Sequence, residues 1–277
     1  MRAIEELEAA CVAVDGGRLK LEWGTLKSRS PEQRNDFLWM GPGGALGFLG
    51  IYRFGSGPAE LCGMVHPSVR RRGIFSSLYK AATAELVSRE VHEALLVVDR
   101  TYAAGTAFAR FVGGTIEHSE HRMRLTREPA QSNSDPLVAV REIAPADGAF
   151  LISCLAEAFE QPAERFVDAD YDAFTKRFPG TYIIEYANER VGTVRVDRHE
   201  QVAGIYGFAV LPSFQGRGIG RQVLSDLARE LAAEGMNRVE LEVACTNDAA
   251  LHLYLSSGFD VLGTEDYYAV SLRPATP

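Results

Sequence analysis

Phe208–Leu224 reads FAVLPSFQGRGIGRQVL, and a related stretch, GMVHPSVRRRGIFSSL, occupies Gly63–Leu78. Four residue types recur 145 positions apart, at Pro67 and Pro212, Ser68 and Ser213, Gly73 and Gly218, and Ile74 and Ile219. The same offset still relates Gly113 to Gly258 further along the chain. Because the register is kept without a gap, we interpret the chain as an internal repeat of two homologous domains.

Both halves show the same order of elements. Apolar runs predict strands before the glycine turn, and an amphipathic helix, a buried strand and a second helix follow it. The helix after Gly220 is predicted at about Arg221–Glu234, with apolar residues at helical spacing at Val223, Leu224, Leu227 and Leu231. Strands that alternate with helices predict an α/β fold, in which each domain has a mixed twisted sheet and flanking helices.

The polar, Pro-containing segment Arg127–Pro136 predicts a linker. We therefore expect an N-terminal domain at residues 1–127, a linker at 128–137 and a C-terminal domain at 138–277.

The composition excludes several classes of protein. The chain has 277 residues, of which 46% are hydrophobic and 24% charged, so it is neither disordered nor collagen-like. Its net charge of -8 disfavours sequence-independent nucleic-acid binding. The N-terminus lacks the features of a signal peptide, and the longest apolar run, Ala45–Tyr52, is far below the ~20 residues that cross a bilayer. The four scattered cysteines form no CxxC pair. We expect a cytoplasmic protein without metal, membrane or nucleic-acid partners.

The turn Gln215–Arg221 (QGRGIGR) has the composition of a diphosphate site. Its three glycines permit positive φ and bring backbone N–H groups together, and the following helix adds its positive dipole end. A P-loop is excluded because GxxxxGK is absent. A dinucleotide fingerprint is disfavoured because Arg221 stands where it needs glycine and because Leu211–Gln215 separates the turn from the strand. An ordinary glycine-rich turn stays open.

A third motif, besides the P-loop and the dinucleotide fingerprint, matches more residues of the chain. The C-terminal half, about Val138–Leu272, resembles the Gcn5-related N-acetyltransferase (GNAT) superfamily, whose loop is Gln/Arg-x-x-Gly-x-Gly/Ala, here at Gln215, Gly218 and Gly220. Leu241–Phe259 is similar to the family's second block. With Asp266–Tyr267–Tyr268 it is particularly similar to the branch that acetylates protein N-terminal amines. The two-domain plan with a degenerate first half is comparable to that of the mycothiol synthases.

The resemblance implies acetyl-CoA as cosubstrate and indicates its position. In the family the strand before the loop bulges and splays from its parallel neighbour, so that its backbone binds the pantetheine arm. Carried over, these backbone contacts come from Phe208, Ala209 and Val210, and Asn247 touches the same arm. After Gln215, the residues expected at the diphosphate are Gly216, Arg217, Gly218, Ile219, Gly220 and Arg221.

Attack of an amine on a thioester needs a base and an acid. We predict Glu242 as the base, directly or through water, with Glu185 and Tyr206 as reserves. The alternative for Glu242 is an outward-facing strand carboxylate beside Glu240. We predict that Tyr254 protonates the departing thiolate. Its alternative is a tyrosine that packs its ring in the core.

The first half lacks both groups. At the positions of Glu242, Asn247 and Tyr254 it has Val97, Tyr102 and Ala109, and Phe75 replaces the last loop glycine. We expect this domain to be catalytically silent, although it could still bind coenzyme A or wall the acceptor groove. His118 and His121 point to opposite faces of a strand, so no metal site is expected there.

The sequence thus predicts an N-acetyltransferase that forms a ternary complex with acetyl-CoA and a small-molecule or peptide amine. The alternative is a non-catalytic acyl-CoA sensor or regulatory module. The acceptor pocket is expected in variable segments such as Ala156–Tyr171. A monomer is expected, because two fused copies can replace a homodimer, and a homodimer is the alternative.

Overall fold

The computed structural model describes residues 1–16, 19–30, 32–53, 58–128, 134–163 and 179–272. Two compact units divide the chain. The N-terminal unit comprises Met1–Ser119 and Thr264–Pro277, and the C-terminal unit comprises Glu120–Gly263. Residues 129–133 of the predicted linker and 164–171 of the predicted acceptor segment lie outside the described residues.

The N-terminal unit has helices on a mixed sheet. Its described helices are α1 (Arg2–Asp15), α2 (Trp23–Ser28), α3 (Ile74–Ser88) and α4 (Ala103–Phe111). Its strands are β1 (Asp36–Gly41), β2 (Gly44–Tyr52), β3 (Ala59–Val65), β4 (Glu93–Asp99) and the first part of β5 (Thr115–Leu125). Strands β1, β2 and β3 are antiparallel neighbours, and β4 runs parallel to β3.

The C-terminal unit repeats this plan. Its strands are β6 (Val138–Glu142), β7 (Thr181–Tyr186), β8 (Glu189–His199), β9 (Val202–Val210), β10 (Arg238–Ala244) and the first part of β11 (Phe259–Ser271). Its described helices are α5 (Gly148–Ala158), α6 (Ile219–Ala233) and α7 (Asp248–Ser256). Strands β6 to β9 are antiparallel neighbours, and β10 is parallel to β9. The predicted α/β fold with a mixed sheet in each half is confirmed.

The last strand of each sheet comes from the other half of the sequence. Residues Glu120–Arg124 of β5 pair with β10 in the C-terminal unit, and Glu265–Ser271 of β11 pair with β4 in the N-terminal unit. The compact units therefore divide within β5 and β11, whereas the sequence predicts a division at residues 128–137. Local pattern cannot report this exchange, because either closing strand would satisfy the same hydrogen-bonding edge. Asp266–Tyr267–Tyr268 accordingly lies in the N-terminal unit.

Each unit builds its own core. In the C-terminal unit the predicted apolar face of α6 is buried, with Val223, Leu224, Leu227 and Leu231 at most 3% exposed. In the N-terminal unit α3 and α1 cover opposite sheet faces, since the adjacent β2 residues Leu49 and Phe48 belong to different clusters. No helix in the described ranges is both long and apolar enough to cross a bilayer. In each unit a loop separates the strand from the helix, because β3 ends at Val65 before α3 begins at Ile74, and β9 ends at Val210 before α6 begins at Ile219.

Candidate active site in the C-terminal unit

Strands β9 and β10 separate at the point where β9 bulges. Their parallel pairing ends at Ile205 and Leu241. In the antiparallel pairing with β8 the register shifts between Thr193 and Arg195, so that Gly207 and Phe208 together face one β8 residue. Gly207 has a φ of 53°, which favours glycine. A bulge re-aims backbone groups out of the ladder, and this one does so at the mouth of the splay, as the resemblance implies.

The loop after β9 forms a backbone concavity. Gly216 and Gly218 have φ values of 73° and 83°, and a Cβ on either glycine would meet nothing within 4 Å. The first helical bond of α6 runs from Gln222 N to Gly218 O over 3.0 Å. The amides of the preceding helical residues therefore point out of the helix N-terminus. Open space, clustered amides and a positive helix end fit a diphosphate.

Side chains hold this loop in place. Gln215 donates from Nε2 to the carbonyl oxygen of Val210 over 2.9 Å, which ties the loop to the end of β9. Arg217 donates to the carbonyl oxygen of Ser213 over 3.0 Å. Arg221 donates to Ser256 Oγ on α7 over 3.0 Å. Both predicted phosphate-binding arginines thus lie at the loop, exposed, with part of their donor capacity already used by the protein.

Several residues predicted to contact acetyl-CoA also make contacts that stabilise the fold. The side chain of Ile219 is buried in the core, so only its backbone belongs to the loop. Ala209 and Val210 are buried and pair with β8 at Thr193 and Gly192. Asn247 accepts a hydrogen bond at Oδ1 from Ala250 N over 3.0 Å and so caps α7. This cap accounts for an asparagine at that position independently of any ligand.

Tyr254 lies beside the bulge. It is 6% exposed, and its ring centroid is 6.4 Å from that of Phe208 and 6.0 Å from that of Phe259. Burial raises the pKa of its phenol to about 12, because the phenolate would lose hydration. A phenol with this pKa keeps its proton at neutral pH and can donate it. A Cβ at Gly220 would lie only 3.2 Å from the side chain of Leu253, so a glycine at this position allows α6 to pack closely against α7.

Two carboxylates of β10 share a face but differ in surroundings. Glu240 is buried and accepts hydrogen bonds from Arg124 over 2.7 and 2.9 Å. Glu242 is half-buried and lies opposite Arg122 in the pairing with β5. Opposite residues of an antiparallel pair project to the same side, so Glu242 shares its face with a guanidinium. The sequence reasoning missed both arginines, because they belong to the first half of the chain.

The reserve bases have other partners. Arg141 donates to Glu185 over 2.8 Å and also binds the buried Asp147. Tyr206 is 39% exposed, and the guanidinium of Arg195 lies 4.3 Å from its ring centroid. Gly207, at the bulge, is a position that the sequence reasoning did not single out. A glycine inside a β-rich run was the available signal.

The N-terminal unit keeps the loop but not the surrounding chemistry. Arg71 and Gly73 have φ values of 64° and 80°, close to those of their counterparts. Arg70 donates from Nε to the carbonyl oxygen of Val65 over 3.0 Å, as Gln215 does to Val210. The described pairing of β3 with β2 is continuous, without the register shift seen between β8 and β9. In the described part of the chain, no three His, Cys, Asp or Glu side chains are arranged to hold a metal ion.

Comparison with known proteins agrees with this geometry. The model of the acetyltransferase (GNAT) family matches residues 149–259. Mycothiol acetyltransferase of Streptomyces scabiei is 28% identical over 222 residues, which are 76% of this chain and 70% of that protein. N-alpha-acetyltransferase RimI of Mycobacterium tuberculosis is 47% identical over 68 residues, 24% of this chain and 41% of that protein.

A solved structure shares the whole fold. The tandem GNAT protein from the clavulanic acid biosynthesis pathway superposes with a TM-score of 0.74 at 16% identity, covering 99% of this chain and 95% of that one. The likeness at this identity concerns the fold, and the family domain carries the activity class. The chain therefore contains a domain of the acetyltransferase (GNAT) family at residues 149–259, is similar to named acetyltransferases, and has the fold of a tandem GNAT protein.

Proposed function

We propose that the protein transfers the acetyl group of acetyl-CoA to a primary amine in a ternary complex, with the active site in the C-terminal unit. The observation that carries the proposal is the bulge at Gly207 and Phe208, just before the loop, where the Phe208 ring centroid is 6.4 Å from that of the buried Tyr254. In the N-terminal unit the described pairing of the strand before the loop shows no such register shift, and Ala109 stands at the position of Tyr254.

Different residues of the cleft would bind different parts of acetyl-CoA. The backbone of Phe208, Ala209 and Val210 would hold the pantetheine arm, and the loop from Gly216 to Arg221 would hold the diphosphate. Acetyl-CoA supplies an activated thioester carbonyl. An N–H freed by the bulge can donate to that carbonyl oxygen as charge develops on it, which stabilises the transition state.

Proton transfer then needs two groups. An amine with a pKa of ~10.4 is only ~0.1% neutral near pH 7.5, a deficit of roughly 4 kcal/mol. An α-amino group has a pKa of ~7.7–8.0 and a much smaller deficit. We assign Glu242 to accept the proton released during attack, and Tyr254 to donate one to the departing thiolate.

We propose a small-molecule or peptide amine as acceptor, in the cytoplasm. The names of the mycothiol acetyltransferase and the N-alpha-acetyltransferase suggest two classes of acceptor to try, a mycothiol-related amine and a peptide with a free α-amino group.

The test measures thiol release from acetyl-CoA across a set of polyamines, amino sugars and peptides with free N-termini. We expect thiol release and an acetylated product with at least one acceptor class, and loss of most of the rate in Tyr254→Phe. Tight binding of acetyl-CoA without acceptor-dependent thiol release across the set would instead support the rival function, a non-catalytic acyl-CoA sensor.

A further inference from the structure

The N-terminal unit contains a cavity of about 600 Å³ where β3 and β4 part. Pairing of these strands ends at Leu61 and Leu96, and the cavity continues between residues 62–65 and 97–99. Helix α4 and the end of α1 contribute to its wall. Small-molecule pockets typically have volumes of ~300–1,000 Å³ and mostly apolar linings. By the 145-residue offset, this cavity is the counterpart of the acetyl-CoA cleft.

Aromatic residues replace the polar end of that cleft. Phe75 and Phe111 stand at the positions of Gly220 and Ser256, and Phe108 stands at that of Leu253. The ring centroid of Phe108 is 4.7 Å from that of Phe75 and 6.4 Å from that of Phe111. Phe111 is 82% exposed although it lines the cavity. The rim therefore offers a stacking surface where the other unit has a glycine and a hydroxyl.

The charges that line the cavity are balanced. Three cationic and three anionic side chains belong to the lining, namely Lys20, Arg70, Arg71, Asp15, Asp99 and Glu265. Asp15 accepts two hydrogen bonds from the guanidinium of Arg70, over 2.6 and 2.7 Å. The arginine that opens the loop is thus already paired with a carboxylate of the chain. A diphosphate here would have to compete with that carboxylate and would meet no excess of positive charge.

We propose that this cavity is a second small-molecule site, which takes an uncharged molecule with an aromatic ring and does not take coenzyme A. The ring stacks on the phenylalanines at the rim, and the apolar walls of β3, β4 and α4 bury the rest. Polar side chains at the inner wall, such as Lys20 and Glu265, supply hydrogen bonds to a neutral polar group. The inference concerns the N-terminal unit alone and holds whatever the acceptor of the other unit is.

The test uses the full-length protein and N-phenyl-1-naphthylamine, an uncharged aromatic dye whose fluorescence rises in apolar sites. We expect saturable binding of one dye per chain, which saturating acetyl-CoA does not reverse. Val97→Phe puts a ring into the cavity and should weaken dye binding by about tenfold or more, because the lost contacts are the binding contacts. Val87→Phe adds the same ring on an exposed position of α3 and should leave dye binding unchanged.

A second cavity variant keeps the test valid if Val97→Phe does not fold. Ala107→Phe fills the cavity from α4, and circular dichroism shows which variants keep the native secondary structure. The proposal is overturned if acetyl-CoA displaces the dye, if the dye does not saturate, or if a natively folded Val97→Phe or Ala107→Phe protein binds it as well as the wild type does. Displacement would place the dye in the acetyl-CoA cleft of the other unit or show that the cavity accepts coenzyme A.

Discussion

Gln215 and Val210 are joined by a hydrogen bond of 2.9 Å that closes the loop onto the end of β9. The contact recurs 145 positions earlier between Arg70 and Val65, at 3.0 Å, although the donor side chain differs. Repetition of the contact with a different residue indicates that the backbone geometry is what both repeats keep. The two loops therefore serve as matched controls for each other.

Gly218→Ala and Gly73→Ala test what each loop binds. Both glycines have φ near +80° and open space at the Cβ, so each substitution should cost about 1 kcal/mol of stability through backbone strain alone. We expect only Gly218→Ala to weaken acetyl-CoA binding, by about tenfold, in isothermal titration of proteins with matched thermal stability. Equal loss in both variants, or two tight acetyl-CoA sites in the wild type, would contradict the assignment of one site.

Tyr254→Phe removes the proton donor but keeps the ring contacts with Phe208 and Phe259. We expect unchanged acetyl-CoA affinity and a kcat at least about tenfold lower, equivalent to about 1.4 kcal/mol of lost transition-state stabilisation. Tyr268→Phe is the control, since this tyrosine is also buried but belongs to the N-terminal unit. An unchanged kcat, with the chemical step shown to limit the rate, would reject the role of Tyr254.

Asp147 makes stability depend on pH. Its carboxylate is buried and accepts hydrogen bonds from Arg141, Arg190 and Ala144 N, and the pairing with Arg141 holds its pKa well below the usual range. A depressed folded-state pKa stabilises the protein above the unfolded value of ~3.9, and this stabilisation is lost as the pH falls below it.

Asp147→Asn should therefore lower the free energy of unfolding by about 3 kcal/mol at pH 7, because two guanidinium groups lose their carboxylate. In urea titrations the difference from wild type should shrink below about pH 4. Asp226→Asn, which breaks an exposed pair with Arg229, should change stability by less than about 0.5 kcal/mol. A difference that is constant from pH 7 to pH 3 would contradict the pKa argument.

The exchange of closing strands predicts how fragments behave. A fragment of residues 138–277 lacks Glu120–Arg124 and leaves the edge of β10 unpaired. We expect it to aggregate, whereas a fragment of residues 120–263 should unfold cooperatively and bind acetyl-CoA. Sedimentation and urea unfolding distinguish these outcomes. A stable, monomeric 138–277 fragment with native-like acetyl-CoA affinity would show that the exchange does not matter for folding.

The features of the site that depend on neighbouring residues were predictable from the sequence, and those that depend on distant residues were not. The positive φ of Gly218 follows from neighbouring residues and matches the sequence reasoning, and α6 begins at Ile219, two residues before the predicted Arg221. The assignment of Glu242 as base depends on what lies opposite it, and Arg122 comes from 120 positions away. The roles of Glu242 and Tyr254 stay predictions, which the thiol-release assay and the variants address.

The repeat, the fold class and the glycine loop follow from the amino-acid sequence, because helical periodicity and glycine conformations are properties of short segments. The tertiary structure alone decided which closing strand completes each sheet, which arginines face the carboxylates of β10, and that Asp15 pairs with Arg70. These are contacts between residues far apart in the chain, and several partners would satisfy the same local pattern. Only the packing of the whole chain selects among them.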